Sequence, residues 1–315
     1  IATLAVQLGI PVYGTDSELF YLGSKSGSRK LFKKVGIPLP EGVENLKNKQ
    51  EVINALVNLK IKNPSLRKAL IKNNEGFSGE GNAVYTYPLI ADTDNLSDAI
   101  TSTFSRQIRF VLAEINEEIF FKKFEEIGGI VEVFIEGEIK ASPSVQCRID
   151  PEKNISIIST HDQLLGDSDS QVYLGAHFPA STEYSVAIAD YSYKITTELV
   201  KQGVLGRFSI DYVSVKENNA WKHYAIEINL RKGGTTHPFL ILQFLSDGEY
   251  NAHEGTYTTA SGARRFYFST DNIVNENYKG LTPHDLVVLA AFNRLQHDPT
   301  KKKAKKFHIK KKKTQ

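Results

Sequence analysis

Along residues 206–231 polar and apolar positions alternate. In GRFSIDYVSV, Arg207, Ser209 and Asp211 fall at period 2. In AIEINLR, Glu227, Asn229 and Arg231 do the same, with Ile226, Ile228 and Leu230 between them. A strand sends successive side chains to opposite faces, so each polar triplet lines one face. The intervening KENNA reads as a turn and makes the pair a hairpin. An even register then sets Asp211 beside Glu227 or a diagonal neighbour, and two such carboxylates repel unless a cation lies between them.

Elsewhere the pattern predicts a mixture of helices and strands. A helix starts near Ser24 and stops at Gly36, with Pro38 beyond. Leu31, Phe32 and Val35 share its apolar face, and Lys25 and Arg29, four apart, share another. Residues 1–15 read as a helix end, a short strand (IPVYG) and a turn; 49–62 read as an amphipathic helix, and 95–125 as a polar helical stretch. ALIKNNEGFSGEGNAVYTYPL reads as strand, glycine loop, strand, and GGIVEVFIEGEIKASPSVQCRID as two strands joined by a short turn. ISIISTHDQLL is a strand entering a loop, and YSVAIADYSYKITTELVKQG is a helix with a Gly stop. A last helix opens on the capping-box-like TPHD and runs through LVVLAAFNRL. There is no internal repeat. Helices and strands do not alternate strictly, which favours an α+β fold over a doubly wound parallel sheet.

Composition bounds this picture. The chain has 315 residues, 41% hydrophobic and 24% charged, enough for one large or two medium soluble domains. No apolar run reaches the roughly 20 residues that span a bilayer, and the N-terminus lacks the basic start of a signal peptide. With Cys147 as the one cysteine, an internal disulfide framework and a Cys-based zinc site are excluded, and a reducing, cytoplasmic setting is expected. Within the alternating SVQCRI, Cys147 reads as a core filler rather than a nucleophile. No Met occurs, initiator included, so the chain reads as a piece of something longer. The net charge of +3 hides an uneven distribution. The last 15 residues hold nine of the 39 lysines and arginines and no acid, leaving 30 basic against 36 acidic groups in the body, a net of −6. The tail (301–315) reads as a disordered run that a polyanion could contact, while the body carries no nucleic-acid signal.

Three constellations could carry chemistry. Asp211, Glu227 and the Asn229 amide offer the hard oxygens that suit Mg²⁺ held together with phosphates. Taken singly, each is also what a solvated sheet face would carry. Lys72 closes a strand and is followed by NNEGFSGEGN, which has neither the GK[ST] of a P-loop nor GxGxxG spacing. Its backbone N–H groups can still lie over phosphates with Lys72 as the point charge, although many hairpins carry glycines without a ligand. In VEVFIEGEI, an extended backbone beside apolar side chains can read an adenine edge, and Glu138 could take the ribose hydroxyls; alone, the segment is an ordinary hairpin.

In this order, over about residues 10–245, the segments resemble the ATP-grasp superfamily. Within it, IKNNEGFSGEGN, THDQLLG and NLRKGGTTHP are similar to the peptide ligase of pheganomycin biosynthesis and to the ATP-grasp region of IQ-motif-containing protein H; the segment after residue 255 is similar to the second group. The resemblance implies two α+β lobes gripping ATP, an N-terminal lobe at 21–130 and a C-terminal lobe at 131–248. Residues 1–20 would end a preceding α/β domain, and 249–300 would be an extension. It also implies site roles. Lys25 and Lys72 would be phosphate-binding cations beneath a glycine loop of Gly76, Ser78, Gly79 and Gly81. The Glu132–Ile135 backbone, Phe134 included, would meet adenine, with Glu138 at the ribose. Asp211, Glu227 and Asn229 would hold Mg²⁺, with Mn²⁺ as an alternative, and Arg231 would steady the transferring phosphoryl group. Gly233, Gly234, Thr235 and Thr236 would hold an acceptor carboxylate, with His237 and His161 as further contacts. The implied reaction joins small-molecule carboxylate and amine substrates through an acyl phosphate.

Two departures stand out. The chain has no IQ motif, so calmodulin would be reached only through sequence not present here, and a lysine tail stands where an apolar ending is expected. The rival readings are a nucleotide-binding scaffold or regulatory module without turnover, and an interaction protein working through its basic tail.

Overall fold

The computed structural model describes residues 2–76, 79–89, 95–166 and 171–293; Ser78 of the glycine loop and the lysine tail lie outside them. Chain order runs α1 (Ala2–Leu8), a 3₁₀ turn (Ser17–Gly23), α2 (Lys25–Lys34), β1 (Gly42–Leu46), α3 (Lys49–Lys62), β2 (Lys68–Asn73) and β3 (Asn82–Thr86). Then come α4 (Leu96–Gln107), β4 (Ile108–Phe110), α5 (Glu117–Ile127) and β5 (Gly129–Val133). The second half holds β6 (Ile139–Ala141), β7 (Pro143–Ile149), β8 (Ile155–Gly166), β9 (Val172–Phe178), α6 (Ser185–Lys201), β10 (Gly206–Glu217), β11 (Ala220–Asn229) and α7 (Thr236–Ser246). It ends with β12 (Gly248–Asn251), β13 (Thr256–Thr259), β14 (Tyr267–Ser269) and α8 (Pro283–Phe292).

Two antiparallel sheets result. One has the order β1-β5-β2-β3-β4; the other has β11-β10-β7-β8-β9-β14, with β6 also on β10. The expected α+β class is therefore observed. Each sheet has its own core. Ile71, Tyr85, Phe104, Phe120 and Phe124 pack the first beneath α3, α4 and α5. Val145, Ile188, Leu199, Phe208 and Ile228 pack the second against α6. Leu31 and Phe32 of α2 belong to this second core, although α2 precedes the first sheet in sequence. Ser28 fastens it there, its Oγ accepting from the Ile228 N–H at 3.0 Å.

Three predicted elements differ. Residues 10–14 form no strand: the segment has no neighbouring strand to pair with, and it is held by its side chains, Tyr13 Oη donating to the Ile149 carbonyl at 2.8 Å. The 95–125 stretch is two helices around β4, because Ile108–Phe110 pairs with β3 and Asn116 starts a new helix by capping Ile119 N–H at 2.9 Å. GGIVEVFIEGEIKASPSVQCRID is not a hairpin. β5 is buried between β1 and β2 in the first sheet, while β6 and β7 pair with β10 in the second, so the chain crosses between sheets at residues 134–138. The expected lobe boundary at 130/131 falls inside β5. The KENNA turn and the capping box at Thr282 and Asp285 form as predicted, with Asn218 and Asn219 both at positive φ (50° and 62°), as a tight two-residue hairpin turn requires.

The first turn of α2 lies so close to the preceding 3₁₀ turn that a Cβ on Gly27 would run into the Tyr21 carbonyl oxygen. Backbone cannot rotate away, so Gly27→Ala is expected to destabilise the protein by about 1–3 kcal/mol. Gly36→Ala meets no atom within 4 Å and carries only the strain of φ +68°, about 1 kcal/mol. Denaturant midpoints of the two variants check the order.

Candidate functional site

The face of the β10–β11 hairpin that looks away from α6 forms the floor of a cleft of about 490 Å³ between the two sheets. Its register pairs Asp211 with Glu227 and Ser209 with Asn229. A bulge opposite Asp211/Tyr212 breaks the expected alternation: Ala225 and Ile228 pack in the core, and Ile226 lines the cleft beside Glu227. The expected placement of Ile226 with Ile228 and Leu230 is thereby corrected. An extra residue in one strand shifts the phase of everything on one side of it.

The two carboxylates differ electrostatically. Burial and the neighbouring Glu227 charge push Asp211 above the usual carboxylate range. Burial also raises Glu227, but Lys25, ion-paired to it, outweighs that and holds its carboxyl low. Lys25 is delivered by the first turn of α2, which Ser24 caps by accepting from Gly27 N–H at 3.0 Å. The Lys25 N–H donates to the Asn74 carbonyl at 3.1 Å, tying this turn to the end of β2. Asn229 sits between the acids, its Nδ2 donating to Asp211 at 3.0 Å and to Glu227 at 3.1 Å, while its Oδ1 accepts from Arg231 at 3.2 Å.

From the first sheet, Lys72 reaches the cleft with its Nζ 2.7 Å from Glu132 Oε1. The other Glu132 oxygen accepts from Arg29 Nη1 at 2.8 Å, so one buried carboxylate holds two cations. Arg29 lies one helical turn after Lys25. Its side chain crosses from α2 to the first sheet, where it also donates to the Pro40 carbonyl at 2.9 Å.

Gly76 and Gly79 line the roof. A Cβ on Gly79, at φ +87°, would stand 3.1 Å from the Gln171 carbonyl of the second sheet, and Asn82 Nδ2 donates to Gln171 Oε1 at 3.4 Å. Glu132, Phe134 and Ile135 line the cleft where the chain crosses between sheets, with Lys140 Nζ 4.8 Å from the Phe134 ring centre. Gly233, Gly234 and Thr235 line its far end.

Other predicted residues lie elsewhere. Glu138 is exposed outside the lining, since the chain has already left the cleft on its way to β6. Gly81 is also outside it, its carbonyl accepting from Asn73 N–H at 2.8 Å to close the β2–β3 turn. Thr236 turns inward to Gln146 Oε1 at 3.4 Å, and His237 sits in the first turn of α7, neither lining the cleft. His161 is fully buried, 2.7 Å from Tyr267 Oη, and desolvation pushes its imidazole down to about 3, so it is a neutral core residue. Cys147 is likewise core, its thiol pushed up to about 12 by burial.

Sequence reasoning missed several lining residues. Ser144 and Gln146 are at most 5% exposed, and Tyr173 stands over Gly234. The alternation Ser144, Gln146 between Val145 and Cys147 carried the signal for the β7 members. Tyr173 had none.

Residues 18–87 and 95–253 match the family model described as IQCH-like, ATP-grasp. The chain belongs to this family. The zebrafish (Danio rerio) IQ motif-containing protein H is 22% identical over 257 residues, covering 72% of this chain and 24% of the relative. Among solved structures, the biotin carboxylase–β,γ-ATP complex from Campylobacter jejuni aligns with a TM-score of 0.54 at 17% identity, covering 78% of this chain and 48% of that one. The biotin carboxylase domain of the Hydrogenobacter thermophilus 2-oxoglutarate carboxylase, in complex with MgADP, ADP and bicarbonate, gives 0.55 at 16%, covering 84% and 51%. The chain thus spans about a quarter of the curated relative and about half of these structures. The two-lobed ATP-grasp fold expected from the motif order is the fold observed.

Within this ATP-grasp cleft, the groups able to hold a divalent cation are the Asp211 and Glu227 carboxylates and the Asn229 amide. The donor chemistry fits Mg²⁺ or Mn²⁺: all are hard oxygens, and few protein ligands suffice when phosphates and water complete the shell. The Asn229 amide nitrogen, bridging both acids, occupies the position where positive charge is wanted; rotating the amide turns Oδ1 there instead.

Asp211 yields a pH prediction. A carboxyl whose pKa is higher in the folded than in the unfolded chain costs stability as pH rises through the interval between the two values. Asp211→Asn is therefore expected to raise the Tm of the nucleotide-free protein at neutral pH. The gain should vanish by about pH 3, where the carboxyl keeps its proton in both states. Thermal melts across pH check this; a pH-independent difference would contradict it.

Proposed function

We propose that this ATP-grasp chain binds Mg-ATP between its two sheets and joins a substrate carboxylate to an amine through an acyl phosphate. The observation that supports it most is convergence. Lys25 from α2, Lys72 from the first sheet, and Asp211, Glu227, Asn229 and Arg231 from the second border one cleft under a glycine turn.

Charge neutralisation and positioning are what phosphoryl transfer asks of a protein. Phe134 and Ile135, with the main chain from Glu132, would take the adenine. Lys25 and Lys72 would lie along the phosphates, and Gly76 and Gly79 would exclude water from above. Asp211, Glu227 and Asn229 would hold Mg²⁺, which when bound draws charge from the phosphate oxygens. A substrate carboxylate oxygen attacks the γ-phosphorus and the bond to ADP breaks, giving an acyl phosphate. The amine then attacks the acyl carbon, phosphate departs with the electron pair, and the amine sheds one proton. Arg231 would steady the transferring group. Gly233, Gly234 and Thr235 would hold a carboxylate of the amine substrate, with Thr236 Oγ1 accepting from the Gly233 N–H at 3.2 Å in their turn. No side-chain nucleophile is required.

The test is ADP release from Mg-ATP with pooled amino acids and small carboxylic acids, comparing wild type with Glu227→Ala and Lys72→Ala. Substrate-stimulated turnover is expected, reduced about 10²-fold or more in both variants while circular dichroism is unchanged. Tight ATP binding without stimulation by any pool would favour a nucleotide-binding scaffold. Absence of nucleotide binding would refute the proposal.

A further inference from the structure

We propose that Arg148 and Arg207 form a second oxyanion site, separate from the nucleotide cleft, that takes a phosphate or carboxylate group. The two are direct cross-strand partners on β7 and β10. They continue the face on which Asp211 opposes Ser144 and Ser209 opposes Gln146, so one sheet surface runs from a carboxylate through neutral donors to a pair of guanidiniums. Like charges set directly opposite in a sheet repel, and an arginine cannot shed its proton to relieve this. Burial and the Arg148 charge push the Arg207 pKa down, with the Tyr13 phenol acting the other way and no carboxylate among the causes.

No carboxylate meets this need. Among the described residues neither arginine has an ion pair, and Arg148 Nε is buried with no hydrogen-bond partner. The nearest acid, Asp150, is within electrostatic reach of Arg148, but its carboxylate accepts from the Asn154 N–H at 2.8 Å and from Asn154 Nδ2 at 3.0 Å. Two guanidinium forks with unused donors match the oxygens of phosphate or carboxylate. The edge is also walled. The N-terminal coil is pinned across it by Tyr13 Oη on the Ile149 carbonyl (2.8 Å) and Thr15 Oγ1 on the Leu205 carbonyl (3.1 Å). Gly206, at φ +100°, lets that coil approach, since a Cβ there would stand 3.0 Å from Gly14 Cα. Neither arginine borders the cleft, and Arg207 lies four residues before Asp211, about 13 Å along the strand.

The experiment titrates inorganic phosphate, at ionic strength held constant with NaCl, into the full chain. It follows the arginine Nε–Hε NMR resonances and the melting temperature. The site predicts a saturable shift of the Arg148 resonance and a rising Tm. Arg207→Gln should weaken phosphate binding at least tenfold and raise the phosphate-free Tm, because a repulsion is removed. Arg148→Gln provides the second variant should the first misfold. Succinate in place of phosphate tells the two sources apart, the tighter of the two naming the ligand class. Saturating Mg-ATP should leave the response intact. A response no larger than that to NaCl, a wild-type response in both variants, or its loss on adding Mg-ATP would overturn the proposal. Because phosphate is read without nucleotide, the outcome is independent of whether the cleft binds ATP.

Discussion

One carboxylate holding two cations organises this molecule. Glu132 is 1% exposed and lies between Lys72 on its own sheet and Arg29 from a helix that packs in the other core. Taking three charges out of water is costly, and removing one partner of such a group typically costs about 3–5 kcal/mol because a charge is left buried and unpaired. Arg29 is shared further with Glu44, 3.4 Å from its Nε, so the charges of this cluster are paired beside the cleft. The arrangement therefore does more than join two halves. It holds Lys72 in one rotamer at the cleft before any ligand arrives.

The hairpin opposite supplies the complementary sign, and its strain is local. Asp211 and Glu227 are forced together by the register that the Asn218–Asn219 turn sets across the 15 residues between them. Lys25 ion-pairs with Glu227 and acts on Asp211 only from a distance. Asp211 keeps an elevated proton affinity from burial and the Glu227 charge. Neither core would suffer if these acids were apolar, so folding does not account for them.

Much of this was legible from the chain. Period-2 alternation placed Asp211, Glu227 and Asn229 on one face, and the four-residue step from Lys25 to Arg29 put both on one side of α2. What failed, failed for non-local reasons. Ile226 looks like a core residue because alternation cannot announce a bulge. VEVFIEGEI looks like a hairpin because a turn signal does not say which sheet each flanking strand will join. The role of Arg29 could not be read at all: nothing local reveals that its partner lies 103 residues away. The family likeness supplied the order of lobes, but not the membership of α2 in the second core, since that depends on Leu31 and Phe32 finding Ile228 rather than the nearer strands.

That membership constrains how the cleft can open. α2 cannot leave β11 without exposing Leu31 and Phe32 and losing the Ser28–Ile228 hydrogen bond. It cannot leave the first sheet without breaking the ion pairs of Arg29 with Glu132 and Glu44. Both attachments lie at the β1–β5–β2 side, close to where the chain crosses between sheets at residues 134–138. On the opposite side, among the described residues, β3 meets the segment before β9 through Asn82 to Gln171 at 3.4 Å. Lys72 and the acidic pair are thus held in place from opposite sheets by contacts that α2 ties together.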